Sequence, residues 1–452
     1  MSKRPDPSHA SPTVGECLDL MRQGAISSED LVRKYLDVID RTDDRLGAWV
    51  SVDREHALAQ ARDLDGLRKR GMPTGALHGI PVGVKDIIDT CDFPTEMGSG
   101  FFSGRRPKRD AAVVERLKEA GAVILGKTAT TELAYMHPAP TRNPRNPEYG
   151  PGGSSSGSAA AVAMGQVPLA LGSQTHGSVI RPASHCGVFG YKPTRGIVSR
   201  RGVLRTSYHL DQMGMFAANL GDLALLADTL GGYDAADPLC PLRPRPATFA
   251  GYLSDVPIEP TLVWIDLPYA SRYCEALVAG CDELVGELGG HVERIPAPRS
   301  FVGLIESHRI IYGYELYRSL LELGILDSDQ ASDTLRAAAE TISTFTDDQY
   351  DDAMEAKQAA EEWFVRFFYD YDAVLTPSAP GIAPRYEQGT GDPCCSTIWT
   401  LAGLPCVSMP LLVGEDDMPI GIQLVGSAEQ DDRLFRTSRW LLEHLSGNDA
   451  LA

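Results

Sequence analysis

No stretch of this 452-residue chain holds the ~20 consecutive apolar residues that a membrane-crossing helix needs. The N-terminal segment "MSKRPDPSHASPTVGECLDL" carries basic residues with no apolar run behind them, so a secretory signal is not expected. Positive charge is in short supply: 42 basic side chains stand against 61 acidic ones, a net charge of −19. Such a surface repels phosphate backbones and argues against nucleic acid as a direct partner. The nine cysteines include no C-x-x-C pair, and the ten histidines show no H-E-x-x-H or H-x-H spacing. Both absences argue against a disulfide framework and a zinc site, and for reduced thiols in a cytoplasm. The adjacent Cys394 and Cys395 read as structural. No internal repeat is present, and no low-complexity segment beyond one Ser/Gly-rich stretch.

What remains is ordinary globular composition, 43% hydrophobic and 23% charged. The length alone allows one large α/β domain or two to three smaller ones. In "SSEDLVRKYLDVIDR" Ser27 can cap a helix with Asp30 at its third position, and Val32, Tyr35, Leu36 and Ile39 share one face. A second helix is expected through "REHALAQARDLDGLRKRG", closed by Gly71. "HGIPVGVKDII" reads as a short apolar strand carrying one lysine. "DAAVVERLKEAGAVILGKT" reads helix, turn, buried strand, and "SGSAAAVAMGQVPLALGSQT" repeats that order with a strand at "VPLAL". "TLVWIDL", "YDAVLTP" and "GIQLVG" are further strand candidates between helices such as 351–369 and 432–445. No linker of distinct composition divides them, so one α/β/α domain is expected over residues 1–452. Its ends, about 1–12 and 446–452, are expected to fray, and 239–328 is its least readable part.

Two short motifs match the letter of a known site and fail on mechanism. "GAVILGKT" (121–128) fits the P-loop pattern, but its middle residues Ala-Val-Ile-Leu belong inside a strand, where their N–H groups cannot cradle phosphate. "GSSSG" (153–157) fits G-x-S-x-G around Ser155. A nucleophile elbow needs a strand directly before the serine, and "RNPRNPEYGP" is loop chemistry.

A third match covers far more chain. "LHGIPVGVKDIIDTCDFPTEMGS", "GAVILGKTATTELA", "PGGSSSGSAAAVAMGQVPLALGSQTHGSVIRPASHCGVFGYKPTRGIVSRRGV" and "GLPCVSMPLL…MPIGIQLVG" follow in that order. Together they resemble the amidase signature family of serine hydrolases, from about Val14 to Leu445 with a poorly matched middle. The resemblance implies a mixed, mostly parallel twisted sheet with helices on both faces, a catalytic core at about 75–215, and a variable substrate-pocket region at about 239–328. It implies a catalytic unit of Lys85, a cis-bonded Ser154 and the nucleophile Ser178, with Thr175, His176, Gly177 and Ser178 lending backbone N–H groups to an oxyanion hole. Ser155 and Arg181 would support the loops, with Ser155 and Ser156 capping the helix that follows. Tyr135 would lie beside the cleft and shape the acyl pocket. No metal or organic cofactor is implied.

The chemistry is sound independently of the name. A serine hydroxyl is a weak nucleophile and needs a base within hydrogen-bond reach. A lysine serves only when neutral, and desolvation favours the neutral form. Ile80, Val82, Val84, Ile87 and Ile88 surround Lys85 in sequence, so a buried setting is expected. The implied substrate is a small amide, anilide, ester or carbamate, opened through an acyl-enzyme, with neither nucleic acid nor membrane involved. The sequence leaves the acyl group, the leaving group and the oligomeric state open, a homo-oligomer included.

Several residues depart from the family pattern. Many members read D-T-G-G-S-I-R where this chain reads Gln174-Thr175-His176-Gly177-Ser178-Val179-Ile180-Arg181. Ser156 stands where glycine is frequent, and Ala129 where asparagine is. On these grounds a stand-alone amidase is expected ahead of the glutamine-hydrolysing component of a tRNA amidotransferase, which acts with a partner chain. A catalytically inactive binding protein on the same fold is the third reading. His176 can either narrow the pocket or face elsewhere.

Overall fold

Short local rules set the first elements. Thr13 and Ser27 each accept from the backbone N–H three residues on, and Glu16 and Asp30 return the bond, so capping boxes open the helices Val14–Arg22 and Ser28–Leu46. Val32, Tyr35, Leu36 and Ile39 are buried, as their spacing predicts. Helix Arg54–Lys69 follows, with Gly71 behind it in the left-handed conformation. The computed structural model describes residues 12–447. The ends expected to fray lie outside the described residues, apart from Pro12, Ser446 and Gly447, and Ser446 still belongs to the last helix, Asp431–Ser446. The helix expected from residue 351 begins earlier, at Asp347, because Thr346 and Gln349 form another capping box.

The strands are β1 (Trp49–Val52), β2 (Pro81–Lys85), β3 (Val123–Thr128), β4 (Leu169–Gln174), β5 (Phe189–Lys192), β6 (Gln212–Ala217), β7 (Leu262–Asp266), β8 (Val292–Pro296), β9 (Ala373–Pro377), β10 (Cys406–Val413) and β11 (Pro419–Val425). They form one sheet in the order β1-β3-β2-β4-β6-β5-β10-β11-β9-β7-β8. The parallel ladders lie in two blocks, β3-β2-β4 and β9-β7-β8. Antiparallel ladders join these blocks and edge the sheet at β1. The architecture is thus the expected mixed sheet between helices, with parallel pairing concentrated in those blocks rather than spread throughout. Helices Ser156–Ala163 and Ile180–Cys186 pack on each other and on the central strands, and Leu220–Leu230 packs on β4, β5 and β6.

The strand expected at "VPLAL" starts two residues later and runs on through Gln174, which carries it to the edge of the serine-bearing turn. The poorly readable 239–328 segment adds β7 and β8 to the same sheet and contributes the long helix Phe301–Leu323.

Lys127, the lysine of the P-loop-like stretch, lies inside β3 and is fully buried. Its Nζ donates to Ile88 O at 2.7 Å and Thr95 Oγ1 at 2.6 Å, and faces Asp86 Oδ1 at 3.4 Å. Those partners use the donors a phosphate would need. Burial pushes Asp86 up to about 6 and Lys127 down to about 8, with their mutual attraction opposing both shifts. Lys127→Met should therefore strand a buried carboxyl and lose about 3–5 kcal/mol at neutral pH. A fall in the urea midpoint at unchanged slope would report it.

Candidate active site

β2 delivers Lys85 to the interior. Its Nζ lies 2.7 Å from Ser154 Oγ, 2.9 Å from Ser173 Oγ and 3.0 Å from Ser155 Oγ. Among the described residues no carboxylate forms an ion pair with it. Burial holds its pKa well below the ordinary lysine range, the Asp211 charge pulling weakly the other way. A neutral amine offers two N–H donors and one lone pair, which matches three hydroxyl contacts. Ser155 Oγ already donates to Ser173 O at 3.3 Å, so it accepts from Lys85. The short contact to Ser154 is then the natural place for a hydroxyl to donate into the amine lone pair.

The Ser154 loop is held by close backbone contact. Gly152 has φ +82°, and a Cβ there would come 2.8 Å from Pro182 Cα, while one at Gly153 would meet Thr390 Cγ2 at 2.8 Å. The Gly153–Ser154 peptide bond is cis. Ser155 occupies the cap position of helix Ser156–Ala163 but makes no capping bond, contrary to expectation, because its hydroxyl serves Lys85 and Ser173. Ser156 does not cap either and donates back to Gly152 O at 2.8 Å.

Ser178 lies in the turn between β4 and helix Ile180–Cys186, 8% exposed. Two side chains shape that turn. Gln174 Oε1 accepts from Val179 N at 2.8 Å and Ile180 N at 3.0 Å, binding the start of the turn to its end. Arg181 Nη2 donates to Gly153 O at 2.7 Å and its Nη1 bonds Gly391 O, so it links the Ser178 segment to the Ser154 loop. Burial lowers the Arg181 pKa to about 10.

His176 turns its ring to the wall of the turn. Its Nε2 lies 2.8 Å from Thr397 Oγ1, and the ring packs on His308 with centroids 4.2 Å apart. Burial, then the neighbouring His308 and Arg181, keep His176 far below the ordinary histidine range, so it is neutral. Thr175 Oγ1 donates to Asp211 Oδ1 at 2.5 Å, and Asp211 also accepts from the N–H groups of Thr206 and Ser207. Tyr135 joins this wall through a run of rings, 6.1 Å from Tyr312, which lies 6.1 Å from His308.

A cavity of about 400 Å³ is lined by Ser173 and Thr175 together with Ala134, Leu204 and Tyr208, while Lys85, Ser154, Ser178 and Tyr135 lie outside its lining. Of the charges around it, Arg105 pairs with Asp89, Arg200 with Asp237, and Arg205 with Glu322. Sequence reasoning missed Ser173, Asp211, Thr400 and His308. Only Ser173 had a usable signal, because β4 pairs in parallel with β2 up to Val84–Leu171 and so runs on beside Lys85.

A family model described as Amidase matches residues 30–435. A glutamyl-tRNA(Gln) amidotransferase chain of Anaeromyxobacter sp., the A component of that complex, is 34% identical over 93% of this chain and 94% of its own. Among solved structures, one from a vestigial protein complex bearing on the origins of an s-triazine catabolic enzyme superposes with a TM-score of 0.89. It is 29% identical, covering 96% of this chain and 98% of that one. The peptide amidase of Stenotrophomonas maltophilia gives 0.83 at 27% identity, over 97% and 98% of the two chains.

Proposed function

Because the chain belongs to the amidase family, we propose that it hydrolyses a small carboxamide or related acyl bond through Lys85, Ser154 and Ser178. Neutral Lys85 takes the proton of Ser154 as Ser154 takes that of Ser178, whose Oγ attacks the carbonyl carbon. The backbone N–H groups of 175–178 receive the developing oxyanion. The proton returns along the same route to the leaving nitrogen, the C–N bond breaks, and water then cleaves the acyl-enzyme. The observation that carries this reading is a buried lysine held by three serine hydroxyls and, among the described residues, in no ion pair with a carboxylate. Tyr135 and the 400 Å³ cavity would shape the substrate pocket, which suits a small ligand. Esters, anilides and carbamates fall within the same chemistry. Nine free cysteines and the lack, among the described residues, of any helix long and apolar enough to cross a membrane are consistent with a cytoplasmic setting.

The sequence relatives favour a second reading, a glutamine-hydrolysing component that works with a partner chain, over the stand-alone enzyme expected from the family departures. Both readings use the same triad and differ in substrate and company. Purified chain should be assayed alone on aryl amides, primary amides and carbamates, then on glutamine with and without a partner chain. Turnover by the chain alone supports the first reading. Ammonia released from glutamine only in a complex transfers the assignment to the second. Binding of an amide with no acylation by an activated ester makes the chain a binding protein.

A further inference from the structure

Each backbone N–H proposed for the oxyanion hole shares a rigid peptide plane with the carbonyl of the preceding residue, and in a trans peptide the two point in opposite directions. Anchoring the carbonyl from behind therefore aims the N–H forward. In this turn three such carbonyls are anchored. Thr175 O lies 3.0 Å from His308 Nε2, His176 O accepts from Thr400 Oγ1 at 2.8 Å, and Gly177 O accepts from Arg181 N at 3.0 Å. The N–H groups on the far side of these planes are those of His176, Gly177 and Ser178. The last anchor belongs to the turn's own backbone, and Thr400 comes from the helix Thr397–Leu401. His308 comes from far off in sequence, on the helix Phe301–Leu323.

We propose that His308 is a positioning residue for the oxyanion hole, fixing and polarising the Thr175–His176 peptide by donating from Nε2 to Thr175 O. A carbonyl oxygen only accepts, so Nε2 carries the proton, and the ring is neutral because burial pushes it down to about 4. A carbonyl that accepts a hydrogen bond makes the N–H of its own peptide a stronger donor. The ring is held in place on both sides, packed at a tilt against His176 and edge-on to Tyr312, and it is 1% exposed. One helix therefore controls the turn twice. Seven residues on, Glu315 accepts from Ser207 Oγ and from His209 N at 3.1 Å, bracing the segment whose Asp211 holds the Thr175 side chain.

This inference rests on the serine-hydrolase reading, and the test separates the two. Wild type, Ser178→Ala, His308→Phe and His308→Gln are compared on p-nitrophenyl acetate, with thermal unfolding measured for each. Phenylalanine keeps a ring against His176 but has no donor, whereas glutamine places an N–H near the position of Nε2. Losing one oxyanion donor costs about 10²–10³ in rate, so mis-aiming one should lower kcat of His308→Phe by about 10–100-fold with KM within about twofold. His308→Gln should recover most of that loss at an unfolding temperature similar to that of His308→Phe. Thr400→Val, which removes the adjacent anchor, should also act on kcat. If Ser178→Ala is inactive while His308→Phe keeps full kcat, the positioning role is overturned and the reading stands. A rise in KM alone, or equal losses in the phenylalanine and glutamine variants that follow their unfolding temperatures, also overturns it. If the ester is not turned over, or Ser178→Ala remains active, the serine-hydrolase reading itself falls.

Discussion

Ser178→Ala should lower turnover of any substrate of this protein by about 10⁵–10⁶-fold while leaving its unfolding temperature nearly unchanged. The magnitude follows from the way catalytic units fail, since removing the nucleophile costs about as much as removing the whole triad. Only catalysis from binding and the oxyanion hole remains. The fold should hold because the serine side chain is small and sits in a turn organised by Gln174 and Arg181 rather than by its own hydroxyl. An organophosphonate should attach one equivalent to wild type, on a peptide containing Ser178, and none to the variant. Ser155, the rival in the G-x-S-x-G pattern, is not expected to react. It is fully buried, and its oxygen accepts from Lys85 Nζ and Ser173 N while donating to Ser173 O. Labelling at Ser155 would replace the present assignment with an elbow-type nucleophile.

The sequence made the N-terminal half of the fold legible because local rules and global structure agree there. The Ser27–Asp30 capping box, the apolar run ending at Lys85 and the small-residue helix after the glycines each had one physical reading, and each element stands where that reading put it. The region 239–328 resisted for the opposite reason. β8 is a partly exposed edge strand with charged residues at Glu293 and Arg294, so it carries no clean alternation. Phe301–Leu323 buries residues around much of its circumference, which blurs a single apolar stripe.

The same division holds at the site. Lys85 and Ser154 lie 2.7 Å apart, and each sits in a short segment with a strong pattern of its own. His308, Thr400 and Asp211 reach the turn from distant segments, and a histidine between Ser307 and Arg309 gives no sign of which backbone carbonyl it will meet. Ser155 shows the limit of a local rule. Its position favours a helix cap, yet a buried amine 3.0 Å away competes for the hydroxyl and takes it.

The pH dependence of kcat/KM should show one acidic limb, set by Lys85, followed by a plateau through mild alkali. The base works only when neutral. Burial depresses its pKa in the folded protein, so activity is present above that depressed value and lost as pH falls through it, well below the ordinary lysine value of 10.5. His176 and His308 are also pushed down and stay neutral through the same range, so neither should add a second limb near pH 6–7. Lys85→Met should lose about 10⁴-fold or more in kcat. Lys85→Arg should be equally inactive, because a guanidinium stays charged and does not deprotonate in this range. Stability gives an independent reading of the same group. Between Lys85's depressed pKa and 10.5 the unfolded chain binds a proton that the folded chain does not, so wild-type stability should rise with pH across that window, and Lys85→Met should lack that part of the rise. A flat rate profile across the window with chemistry rate-limiting, or an active arginine variant, would remove lysine from the role of base.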